Sequence, residues 1–185
     1  MKLIETKLKD CYILEPDRFG DTRGWFSESY NKKVFEDLGL NYDFVQDNES
    51  FSTKKGVLRG LHFQNEPYTQ AKIVRCTRGA VYDVAVDIRH DSPTYGMWVG
   101  VELSEENGRQ LLIPRGFLHG FQTLTDNVKF AYKCDNYYNK ESDGGVMYND
   151  PDIGVVWPIE DPILSEKDKH HPKLRELVKE RGNLF

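Results

Sequence analysis

The sequence predicts a mainly β protein, a sandwich or barrel of short strands with few helices. Three observations carry this reading. Several segments alternate apolar and polar residues with a period of 2, which puts each apolar set on one face of a sheet. Turn residues separate those segments at short intervals. No long helical pattern lies between them, which favours stacked or closed sheets over a sheet with helical crossovers.

In chain order, the first clear element is a helix over residues 31–38. Asn31 stands at the N-cap, where its carboxamide can accept a first-turn N–H, and Gly39 stops it. Residues 81–88 are rich in β-branched side chains. Tyr82, Val84, Val86 and Ile88 share one parity, and Asp83 and Asp87 fall on the other. Val99, Val101 and Leu103 alternate with Gly100, Glu102 and Ser104; Val128, Phe130 and Tyr132 alternate with Lys129, Ala131 and Lys133. The turns are Arg78-Gly79, Asp91-Ser92-Pro93, Glu106-Asn107-Gly108 and Asp126-Asn127. A second helix is expected over residues 172–179, with Pro172 near its first position. Leu174, Leu177 and Val178 lie at helical spacing, as on a surface helix closing the barrel.

The 185 residues fit one domain, and the 38% apolar content is enough for a core of that size. With 25 basic against 30 acidic residues the net charge is −5, which argues against general binding to nucleic acid or an anionic membrane. No apolar run approaches the roughly 20 residues of a membrane span. Residues 1–5 carry no signal-peptide apolar region, and Cys11, Cys76 and Cys134 are odd in number without a CxxC pair. A cytoplasmic protein with reduced thiols is expected.

Of five histidines, His62 and His119 lie in strand-like, glycine-punctuated sequence, where each serves either as a satisfied core group or as a functional one. His90 follows Arg89 at a turn, and His170 and His171 precede Pro172 in a polar loop; structural or solvated roles are expected for all three. Pro114-x-Gly116-x-x-His119 is similar to the second motif of the cupins, small double-stranded β-helix jelly rolls. Many cupins hold a metal through a His-x-His in their first motif. Here that stretch reads His62-Phe63-Gln64, and a carboxamide is a poor ligand for a first-row metal beside imidazole. No metal is expected. A site without one must use acid–base groups. His62 suits a base, Tyr132 an acid, and Lys72 or Arg59 an anion stabiliser. Tyr132 is equally a core aromatic, Lys72 equally a strand-end residue reaching solvent. Parity aims Arg59 away from His62 unless Gly60 introduces a bulge.

Seven stretches occur in order: residues 19–28 (FGDTRGWFSE), 46–50 (QDNES), 56–64 (GVLRGLHFQ), 70–74 (QAKIV), 113–121 (IPRGFLHGF), Tyr132-Lys133 with Tyr137-Tyr138, and 165–168 (SEKD). The series resembles the dTDP-4-dehydrorhamnose 3,5-epimerase family up to about Asp168. The resemblance implies a cupin-type jelly roll with a few short peripheral helices. It implies one domain over residues 1–185, with residues about 1–50 and about 150–185 packed around the barrel or at a dimer interface. It also implies an isomerase. A base would deprotonate carbons 3 and 5 of dTDP-4-dehydro-6-deoxy-D-glucose, acidified by the keto group, and an acid would reprotonate the opposite face, giving dTDP-4-dehydro-L-rhamnose. By motif, His62 is the base, Asp168 its partner, Tyr132 the acid and Lys72 the cation beside the keto oxygen. Arg23 and Arg59 match diphosphate contacts. Glu28, Gln46, Asp47 and Asn48 match thymidine contacts, and Tyr138 the ring stacked on thymine. His119 matches a sugar contact, and Asp143 and Lys167 further binding positions. No cofactor is implied. The family's dimers exchange N-terminal strands, so Arg23 and Glu28 are expected to serve a partner's site. A single-carbon epimerase or ketoisomerase on a related sugar nucleotide is the nearest alternative, and a noncatalytic cupin the remote one.

Overall fold

The alternating segments become strands in a computed structural model that describes residues 1–185. In chain order these are β1 (Lys2–Glu5), β2 (Tyr12–Glu15), β3 (Phe19–Asp21), β4 (Gly24–Phe26), β5 (Gln46–Ser52), β6 (Leu58–Gln64) and β7 (Lys72–Arg78). They continue as β8 (Ala80–Asp87), β9 (Trp98–Ser104), β10 (Gln110–Ile113), β11 (Phe117–Thr123), β12 (Val128–Cys134) and β13 (Asp143–Gly145). A six-stranded sheet has the order β1-β2-β10-β7-β12-β5. A five-stranded sheet has the order β13-β6-β11-β8-β9, and β3 and β4 form a separate hairpin. All these pairings are antiparallel. The two sheets face each other as in a jelly roll.

The main core lies between them. Val74, Leu111 and Phe130 of the six-stranded sheet meet Val81, Leu103 and Phe121 of the other. Phe130 stacks on Phe121 with ring centroids 4.1 Å apart and is 1% exposed. Truncating so large a buried ring leaves a cavity, so Phe130→Ala is expected to destabilise the fold by about 3–5 kcal/mol. A urea titration that shifts the midpoint downward at unchanged slope checks this.

Each sheet is also covered on its outer face. Helix α1 (Lys32–Asp37) covers the six-stranded sheet, packing Phe35 with Leu14, Ile73 and Leu112. Its N-terminus matches expectation: the Asn31 carboxamide accepts from Lys33 N and Val34 N. Gly39, at φ 78°, provides the left-handed residue that ends it. Helix α2 (Leu174–Arg181) covers the five-stranded sheet and buries Leu174 and Leu177 against Leu61, Phe63 and Val86. It starts two residues later than Pro172 suggested and lies on the sheet's outer face rather than across a barrel end. The Asp150 carboxylate accepts from Leu174 N at 2.7 Å and Glu176 from Lys173 N at 3.0 Å, which sets the start. No helix is long and apolar enough to cross a membrane.

Strand β8 departs from the simple alternating picture. It is central, with β11 and β9 on either side, and both its faces are covered. Asp83 and Asp87 are therefore fully buried on the parity of Val81 and Ala85. A buried carboxylate must be paired. Asp87 accepts from Arg89, Ser92 and Thr94, and Asp83 takes the His119 imidazole.

Candidate active site

The open end of the sandwich holds a cavity of about 390 Å³, continuous through shared lining residues with a groove of about 460 Å³. His62, Lys72, Tyr132 and Lys167 line both. His62 comes from β6 of one sheet; Lys72 and Tyr132 come from the adjacent strands β7 and β12 of the other. The imidazole thus faces the phenol and the ammonium across the sandwich.

Asp168 opens a single 3-10 turn, Asp168–His170, that packs against β6. Its Oδ1 lies 2.5 Å from His62 Nε2, and its Oδ2 accepts from Ser165 Oγ at 2.9 Å, while Ser165 Oγ accepts from Asp168 N. This fixes the carboxylate at both ends and leaves His62 Nδ1 as the ring nitrogen not engaged by Asp168. Burial pushes the Asp168 carboxyl up, but His171, His62 and Ser165 outweigh it and hold it well below the usual carboxylate range. Burial pulls His62 below the ordinary imidazole value against the opposing effect of Asp168, and Lys72 and Lys167 add to the lowering. Neutral imidazole beside ionised carboxylate is a base ready to accept a proton.

Tyr132 is pushed above the ordinary phenol value, first by burial, and so keeps its proton. Lys72 is pulled below the ordinary lysine value by burial, opposed by Cys134, Asp143 and Asp83. Its Nζ lies 5.9 Å from the Tyr132 ring centroid. Both side chains line the cavity, and Tyr132 packs against the core as well.

Arg59 also lines it, although simple parity aimed it elsewhere. The pairing of β6 with β11 shifts register between His119 and Phe121, so that His119 pairs with His62 and Phe121 with Arg59. At that shift the strands approach so closely that a Cβ on Gly60 would sit 2.6 Å from Gly120 Cα, which only glycine permits. Arg59 Nε then donates to Ser52 Oγ at 3.4 Å. His119 is 7% exposed, lines the cavity and bonds Asp83 Oδ2 through Nε2 at 2.9 Å.

Gln46, Asn48, Tyr138, Asp143 and Lys167 surround the groove. Asp143 pairs with Lys167 Nζ and accepts from Tyr138 Oη at 3.2 Å. Gln64, at the would-be metal position, spends its amide on the chain: Nε2 donates to the carbonyls of Tyr68 and Tyr137, and Oε1 accepts from Asn139 N. It anchors the loop that carries Tyr138.

Three matched residues are not brought to the cavity within one chain. Asp47 alternates with Gln46 and Asn48 on β5, points to the other face and pairs with Lys133 Nζ at 2.8 Å. Arg23 and Glu28 belong to the exposed N-terminal segment, where Arg23 pairs with Asp21. Two residues near the site were not predicted. Asp83 backs His119; its sequence signal was a carboxylate inside an apolar strand. His171, expected to be structural or solvated, has a side chain only 9% exposed, with Nε2 3.5 Å from Asp168 Oδ1. His90 and His170 are exposed, as expected, and the three cysteines are buried free thiols.

The sequence and the fold recur in known proteins. The family model described as dTDP-4-dehydrorhamnose 3,5-epimerase matches residues 5–176. The enzyme of that name from Salmonella typhimurium is 56% identical over 180 residues, covering 96% of this chain and 98% of that protein. A crystal structure of the Bacillus anthracis enzyme with TDP and PPi bound superposes with a TM-score of 0.92 at 52% identity, over 94% of this chain and 99% of that one. The Legionella pneumophila dTDP-6-deoxy-D-glucose-3,5-epimerase, solved in complex with dTDP-4-keto-L-rhamnose, gives 0.92 at 48% identity, over 97% and 95%. A match running from β1 into α2, with relatives about half identical along nearly their whole length, makes this chain a member of the dTDP-4-dehydrorhamnose 3,5-epimerase family.

Proposed function

We propose that the protein inverts carbons 3 and 5 of dTDP-4-dehydro-6-deoxy-D-glucose, giving dTDP-4-dehydro-L-rhamnose. The observation that carries this reading is the His62–Asp168 pair facing Tyr132 across the cavity, with Lys72 beside the phenol. Inversion requires a base on one face of the sugar ring and an acid on the other, and groups on opposing sheets supply that.

The keto group at carbon 4 acidifies the C–H bonds on both sides of it. His62 takes the proton from one carbon, and the C–H electron pair moves into the ring as an enolate whose charge sits on the former keto oxygen. Asp168 stabilises the imidazolium that forms. The Lys72 ammonium stabilises the enolate oxygen. Tyr132 delivers a proton to the opposite face, which restores the ketone with inverted configuration. Exchange with water returns both groups to their starting states before the second carbon reacts. His62 is the base, Tyr132 the acid, and Asp168 the residue that orients the base.

Arg59, on the cavity floor, carries charge suited to the diphosphate. Tyr138, held by Asp143 and Gln46 at the groove rim, presents an exposed ring for the thymine. Gln46 and Asn48 offer amides to the base or deoxyribose, His119 contacts the sugar, and Lys167 with Asp143 closes the groove. Asp47, turned to the rear face of β5 and paired with Lys133, takes no part in this site. The protein acts as a homodimer in which the β3–β4 hairpin enters the partner's site. Phe19, Trp25 and Phe26 are all more than 60% exposed on that hairpin, and Arg23 and Glu28 would complete the nucleotide site from there. Residues 1–185 act as one domain. Free buried thiols suit a cytoplasmic setting. The chemistry uses neither metal nor cofactor, in keeping with Gln64 being committed to the 137–139 backbone.

In heavy water, NMR of the sugar protons should show deuterium entering at both carbons 3 and 5. Label at one carbon only would indicate a single-carbon epimerase, and none at either would overturn the enolate route. Tyr132→Phe should slow completed inversion far more than the first exchange, since it removes the acid and spares the base. Equal losses in the two would remove Tyr132 from the acid role.

A further inference from the structure

His171 occupies a position the epimerisation scheme does not use. Its side chain is 9% exposed, and its Nε2 makes no well-formed hydrogen bond, with only Asp168 Oδ1 near it at 3.5 Å, although burying an imidazole nitrogen unsatisfied is costly. The ring is held by the fold. Pro172 O accepts from Met147 N at 2.9 Å, which ties the following residue to the chain after β13. A Cβ on Gly145 would sit 2.4 Å from His171 Nε2, so glycine there makes room for the ring tip. Gly145 is paired with His62 across β13 and β6, and the two imidazoles stand edge to face with centroids 5.6 Å apart.

His62 Nε2, Asp168 Oδ1 and His171 Nε2 therefore converge, with donor atoms within 4.8 Å of one another. Tetrahedral zinc with bonds of about 2.0–2.2 Å places neighbouring donors about 3.3–3.5 Å apart. The Asp168–His171 separation is already 3.5 Å. The 2.5 Å His62–Asp168 hydrogen bond need only open by about 1 Å once its proton leaves. Two imidazoles and a carboxylate suit zinc and its first-row neighbours and discriminate against magnesium and calcium, which take all-oxygen sites. Two of the three donors, His62 and Asp168, line the cavity, which gives an ion a way in.

We propose that His62, Asp168 and His171 form a three-ligand site for a divalent cation of the zinc class, and that filling it shuts the enzyme by consuming its base. The site is inhibitory: a cation on His62 Nε2 leaves the ring proton on Nδ1, the nitrogen free of Asp168, so the imidazole has no lone pair left to accept the substrate proton. His171 is the residue that turns a two-donor pair into a three-donor site.

The test begins with chelator-stripped full-length protein. Equilibrium dialysis against zinc should load about one ion per chain, and cobalt(II) in its place should give the intense visible bands of a four-coordinate nitrogen and oxygen site. Magnesium should not compete. His171→Gln and His171→Asn should each weaken zinc binding at least tenfold, whereas His170→Gln at the exposed neighbour should leave it unchanged. Zinc should lower kcat with little change in KM for the sugar nucleotide, and chelator should restore the starting rate. Substoichiometric loading, octahedral cobalt spectra, or binding insensitive to His171 would overturn the site. So would equal loss in His170→Gln, which would place the ion at the exposed neighbour rather than in the buried three-donor site. Loading and spectra are read without turnover, so they stand or fall separately from the epimerase reading.

Discussion

Replacing His62 with alanine is expected to lower kcat by about 10²–10⁴-fold, the usual contribution of a positioned general base. KM should change little, because other side chains, Arg59 and Tyr138, are the ones proposed to hold the diphosphate and thymine. The same variant should lose deuterium exchange at carbons 3 and 5 together, since one imidazole serves both. Persistent exchange at either carbon would demand a second base. The sign of the pH dependence follows from the environment of His62. Burial, with Lys72 and Lys167, lowers its pKa, so the imidazole is already neutral below its ordinary value of about 6.5. The acid limb of kcat/KM should therefore fall below pH 6.5. Asp168 opposes that lowering; Asp168→Asn should move the limb further down while slowing the reaction, because a weaker base remains. A limb at or above pH 6.5 in the parent enzyme would contradict this electrostatic picture.

Lys72→Met is expected to lower kcat by about 10²–10³-fold, comparable to removing one oxyanion donor elsewhere. Its effect on stability should have the opposite sign. Burial depresses the Lys72 pKa below 10.5, so between its folded value and 10.5 the unfolded chain binds more protons than the folded one. Stability in the parent protein should thus rise with pH across that window, on account of this group. The methionine variant keeps the stem, removes the buried charge, and should lose that rise while unfolding at higher denaturant near neutral pH. Lower stability in Lys72→Met would mean that the ammonium is paired rather than strained.

Much of this was legible in the sequence. Strands β8, β9 and β12 follow from period-2 alternation, and α1 from the Asn31 cap. His62, Lys72, Tyr132 and Asp168 were all singled out and lie together. What was missed depends on contacts between residues far apart in the chain. Asp83 looked like a polar-face residue because nothing local shows that β8 is covered on both sides. Arg59's aim stayed open because parity does not show a register shift in the strand it pairs with. His171 read as loop because its burial arises only when the turn at Asp168 docks on β6.

That docking has a consequence for biosynthesis. The base and its orienting carboxylate are 106 residues apart, and the carboxylate follows every strand of both sheets. Since domains form as units while the chain emerges N-terminal first, both sheets are available before Asp168 is. A partly synthesised chain would expose a cavity with an unoriented imidazole and no functional pair. Orientation of the imidazole thus waits on the segment after β13, and a chain stopped before Asp168 would lack it.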